Sequence, residues 1–79
     1  MSVETMIIMR HMPHMTTPEL YRLVLECQDL IDAFLLSMKA NHPSFVANYP
    51  VLESKYIAAE QLQRASIDEI SRRIPYMWN

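Results

Sequence analysis

LYRLVLECQDLIDAFLLSM, residues 20 to 38, decides how this chain can fold. Leu20, Val24, Cys27, Ile31, Phe34 and Met38 follow one another at steps of four and three, the spacing that lines side chains up along one side of an α-helix. Leu23 and Leu30 form a second row beside them, sharing Phe34, while Leu25, Leu35 and Leu36 point further round. One neighbouring helix cannot cover that much apolar circumference.

The residues just upstream set the start of this helix. In Thr16-Thr17-Pro18-Glu19, Thr17 suits an N-cap with Pro18 at the first helical position, and Thr16 with Glu19 has the spacing of a capping box. Downstream, Asn41-His42-Pro43 stops it, because the residue before a proline is pushed out of the α region. The spacing predicts a helix over about 18–40, roughly 34 Å long.

A second helix is predicted over about 50–74. Leu52, Tyr56, Ala59, Leu62, Ile67, Ile70 and Ile74 fall on one side of it, with Glu53, Glu60, Arg64, Asp68 and Ser71 opposite. Two amphipathic helices of matched length with a connection of about ten residues form an antiparallel hairpin most simply. In that arrangement Glu19, Glu26 and Asp29 lie beside Arg64, Arg72 and Arg73. Within the connection, Phe45-Val46-Ala47 can plug the end of the pair. Pro75 is expected to end the second helix and to leave Tyr76-Met77-Trp78-Asn79 as an aromatic tail, either folded back over the core or inserted into another protein.

Residues 1–15 read differently from residues 16–79, which hold both helices and the tail. The first segment carries Met6, Met9, Met12 and Met15 at steps of three, with His11 and His14 among them. Pro13 interrupts any helix there, so the expectation is a flexible arm, extended or disordered, in which Thr5–Met9 could form a short strand or a docking segment. Thioethers and imidazoles at such spacing can bind Cu(I), although methionines that pack loosely on apolar surface are the commoner case. Met15 could itself serve as a start, since the patterned sequence lies after it.

Composition narrows the function classes. The chain has 79 residues, 51% of them apolar, one cysteine and no glycine. That is near the size at which a single core is barely sufficient, and with Cys27 alone no internal disulfide can help, so dimerisation is the remaining common remedy. Without glycine, phosphate-cradling loops and dinucleotide fingerprints are excluded. A net charge of −2 gives no general attraction to nucleic acid. Gln61, Gln63, Arg64, Ser66, Arg72 and Arg73 include base- and phosphate-reading types, but they share their helix with Glu53, Glu60, Asp68 and Glu69, so a nucleic-acid regulator is only the alternative. No secretory signal is expected. Arg22, Glu26, Asp29 and Asp32 argue against a membrane span, which leaves a cytoplasmic protein.

Catalytic patterns are also missing. The sequence holds no HExxH, no nucleophile elbow and no second cysteine, and Cys27 reads as a buried, inert thiol. A non-enzyme without cofactor or metal is expected.

From Met15 onward, MTTPELYRLVLECQDLIDAF and the tail RRIPYMWN resemble the small helical early-region accessory proteins of lambda-like temperate phages. The resemblance lies in overall character and implies a host-directed or lysogeny-modulating interaction protein, with no active residues to carry over. The sequence thus predicts an all-α fold: an antiparallel helical hairpin that pairs into a four-helix-bundle homodimer, with a flexible N-terminal arm. Its predicted dimer or partner interface is Leu25, Leu30, Phe34, Leu35, Leu36, Ile57, Tyr76 and Trp78.

Overall fold

The computed structural model describes residues 3–41 and 43–77, and for 75–77 the helical backbone alone. All of its regular elements are helical: α1 Val3–His11, a 3-10 turn Met12–His14, α2 Thr17–Ala40, α3 Pro43–Ala47 and α4 Tyr49–Met77.

Helix α2 begins where the sequence places it. Thr16 is the N-cap: its hydroxyl accepts from the Glu19 N–H at 3.3 Å and donates to Glu19 Oε1 at 2.7 Å. The Thr16 N–H donates to the same carboxylate, which closes the capping box. The helix ends at Asn41, whose N–H donates to the carbonyls of Ser37 and Met38. Asn41 has φ 52°, the left-handed conformation that glycine usually supplies at a helix end. In a chain without glycine, asparagine is the next best residue for it.

One residue joins α3 to α4. The Asn48 N–H and side-chain amide both donate to the Ser44 carbonyl, while its own carbonyl accepts from the Leu52 N–H at 3.0 Å. Asn48 therefore closes one helix and opens the next.

Helices α2 and α4 lie side by side with opposite chain directions. Leu20 clusters with Ile70, Cys27 and Ile31 with Ala59, and Phe34 stacks on Tyr56, so numbers fall along α4 as they rise along α2. The buried seam of α2 is Leu20, Cys27, Ile31 and Phe34, four of the six positions at helical spacing. Full burial of such side chains contributes about 1.5–3 kcal/mol each. Opposite them, Ala59 and Ser66 are buried small residues of α4, which let the helices approach closely. The Ser66 hydroxyl is satisfied by the Leu62 carbonyl at 2.7 Å.

Three expectations need correction. The N-terminal segment is neither extended nor a strand: residues 3–11 are helical and pack on α4. Thr5, Met9 and Met12 stand at steps of four and three, and Thr5 and Met12 are buried. Pro13 comes too late to break α1; it sits at the start of the 3-10 turn, where a missing N–H costs little.

Helix α4 also runs past Pro75 to Met77. Proline forfeits the hydrogen bond to the Ser71 carbonyl, but Ser71 is exposed, so water can satisfy that oxygen, and the helix ends soon afterward.

The ion pairs among the described residues lie within α4, where Glu69 holds Arg72 at 2.8 Å and Arg73 at 3.2 Å, rather than across the α2/α4 seam. Glu19, expected to face those arginines, is engaged by its own cap.

Candidate interaction surface

The α2/α4 pair differs at its two ends. At the end formed by the start of α2 and the close of α4, the N-terminal segment covers the seam: Met12 clusters with Leu20 and Ile70, and Met9 and Met15 pack around them. Arg73 fastens it. The guanidinium donates to the Met12 and Pro13 carbonyls at 3.1 and 3.4 Å, to the Thr17 hydroxyl at 3.2 Å and to Glu69 at 3.2 Å. Four chain positions are thereby tied by one planar, always-charged group.

At the other end the seam is aromatic and partly open. Phe34 stacks on Tyr56 with ring centroids 4.5 Å apart, and Phe45 of α3 meets Phe34 edge-on at 5.4 Å and Tyr49 at 5.7 Å. Of the expected plug, Phe45 is buried but Val46 is exposed. The Tyr56 hydroxyl donates to Glu60 at 2.9 Å, a bond that raises its pKa. Beside the rings is an apolar groove with a cavity of about 130 Å³, walled by Leu30, Ala33 and Ser37 of α2 and by Leu52 and Lys55 of α4. That is the scale of cavities that accept a benzene-sized group.

The predicted interface residues do not form one patch. Leu30 rims the groove and is 55% exposed, whereas Phe34 is 7% exposed and forms the groove's floor inside the chain's own core. Leu25 and Leu36 are 66% and 70% exposed. At about 100° per residue they share a direction, on the side of α2 turned away from its buried seam. Leu35 is exposed between that side and the seam, and Ile57 lines a separate cleft with Met9, Arg64 and Asp68. The side chain of Tyr76 and all of Trp78 lie outside the described residues.

Sequence reasoning missed the helical state of α1 and Arg73 as its fastener. The step-of-four-and-three spacing of Thr5, Met9 and Met12 could have revealed the first. Nothing in the sequence marks Arg73 as the fastener, because the acceptors it reaches on the N-terminal segment are backbone carbonyls.

Chemistry is sparse on this surface. Among the described residues, no three or more histidine, cysteine, aspartate or glutamate side chains gather in a way that could hold a metal ion. Cys27 is buried in the α2/α4 seam, where burial pushes its thiol up and nearby Glu26 adds to the effect. Arg72 and Arg73 are engaged by Glu69. Among the described residues no helix is long and apolar enough to cross a membrane. No family model, curated protein or solved structure matches this chain.

Proposed function

We propose that this protein is a non-enzymatic interaction module, a homodimer in the manner of a four-helix bundle that works by binding another protein. One observation carries the proposal: Leu25 and Leu36 stand about two-thirds or more exposed on one side of α2, while Leu30 is bare beside an apolar groove on another. Each of these side chains leaves apolar surface in water that association with a partner would remove. Covering a leucine fully is worth about 1.5–3 kcal/mol, set against the ordering costs of association.

Two apolar directions suit two kinds of contact, one to a second copy and one to a different protein. The resemblance to small phage accessory proteins directs the search for that protein to a bacterial cytoplasm. No cofactor, metal or nucleic acid enters this function. Sedimentation across a concentration series, together with capture from a host lysate by wild type and Leu36→Glu, tests it. A concentration-dependent dimer and a captured protein lost with Leu36→Glu support the proposal. A monomer at every concentration that captures nothing sensitive to Leu36 overturns it.

A further inference from the structure

The molecule is a thin plate. Its principal extents are 52 × 24 × 14 Å, the shortest about a quarter of the longest. Small domains bury their apolar surface between two packed layers, and here most of the second layer is absent.

What exists of that layer is α1, and it shares a face with the groove. Residues seven apart lie in nearly one row along a helix. Leu23, Leu30 and Ser37 form such a row on α2, and Lys55 and Leu62 lie in one on α4. Leu23 and Leu62 pack against the Met12 cluster at the α1 end, whereas Leu30, Ser37 and Lys55 line the groove. A ridge therefore stands at one end of this face and a hollow at the other.

The outer side of the ridge carries apolar side chains in a row that Arg10 closes. Val3 is 72% exposed and Ile7 49%, with Met6 and Ile8 also exposed. Charge sets the direction: α1 carries Glu4 in its first turn and Arg10 and His11 in its last, and the charged wall of the groove is Lys55, which suits the Glu4 end.

We propose that two copies associate through this face, turned end for end, so that α1 of each copy seats in the groove of the other against Leu30, Ala33 and Leu52. The docking presupposes the self-association proposed above and assigns its surface. A two-fold axis across the plate makes both contacts at once, which is the self-complementarity that a symmetric dimer requires. The face of a 52 × 24 Å plate also exceeds the roughly 800 Å² per partner that a standard interface covers. Leu25 and Leu36 stay outside the dimer, free for a different protein.

The full-length chain tests this in a Cys27→Ser background. Ile7→Cys protein is mixed with Leu30→Cys protein and oxidised, with an Ile7→Cys and Leu36→Cys mixture as the comparison. In parallel, sedimentation measures dimerisation of wild type, Ile7→Glu and Leu36→Glu, with helicity followed by circular dichroism. Cross-linking between the Ile7 and Leu30 positions, with dimerisation weakened about tenfold or more by Ile7→Glu and unchanged by Leu36→Glu, is the expected result. A wild type that dimerises, with cross-linking at the Leu36 position instead or with dimerisation that Ile7→Glu leaves intact, overturns the docking while self-association stands. A wild type that is monomeric throughout overturns both.

Discussion

Arg73 donates to the backbone carbonyl of Met12 at 3.1 Å across 61 residues of sequence. The same guanidinium reaches Thr17, so the start of α2, the close of α4 and the turn after α1 meet at one side chain. The buried contact of Met12 with Leu20 and Ile70 lies directly beneath.

Arg73→Ala should therefore loosen the N-terminal segment more than it loosens α2. Hydrogen bonds to a charged group contribute about 1.5–3 kcal/mol. A loss of that order is expected in urea denaturation, with amides of α1 exchanging faster while those in the middle of α2 stay protected. Arg73→Lys should not restore the wild-type value, because one ammonium cannot span the same acceptors.

Thr16→Ala should cost about 1 kcal/mol by removing the N-cap of α2. The cap also makes stability pH-dependent. The Thr16 hydroxyl, then the Thr16 N–H, holds the Glu19 carboxyl below the usual carboxylate range. A group whose pKa is lower folded than unfolded contributes stability above its unfolded pKa and loses it as pH falls through the folded one. Wild type should thus exceed Glu19→Gln in stability near neutral pH, and the difference should shrink as acid protonates Glu19, as urea titrations at about pH 7 and about pH 3 would show.

Cys27 should react slowly with a soluble disulfide reagent while the protein is folded. The residue is 3% exposed, and burial pushes its thiol pKa up. In denaturant the rate should rise to that of an unstructured thiol; a fast reaction in the native state would place Cys27 outside the core.

Phe34→Ala and Leu36→Ala should separate core from surface. Phe34 touches the rings of Phe45, Tyr49 and Tyr56, so its loss should cost about 3–5 kcal/mol. Leu36 is 70% exposed, and its truncation should change monomer stability by no more than about 0.5 kcal/mol. Thermal unfolding of the two variants in dilute solution checks both.

Local chemistry was legible where a residue acts on its neighbours. The Thr16–Glu19 cap, the stop at Asn41 and the seam from Leu20 to Phe34 all come from spacing alone. The helical state of residues 3–11 is harder to read: Pro13 looks like a helix breaker yet stands just beyond the helix, and the α4 surface that covers α1 is distant in sequence, so the spacing of Thr5, Met9 and Met12 is the signal that remains. For the same reason the predicted interface mixed directions. Periodicity identifies Phe34 and Leu36 alike as apolar, and only the arrival of Phe45 and Tyr56 over Phe34 distinguishes them.

Asn41 sets the chain's tolerance for mirror-image chemistry. It is the one described residue with a positive φ, so at every other described position a D-amino acid would oppose the backbone's handedness. Among the described positions, only at 41 would inverting the stereocentre relieve the backbone, and a D-residue there would mark the end of α2.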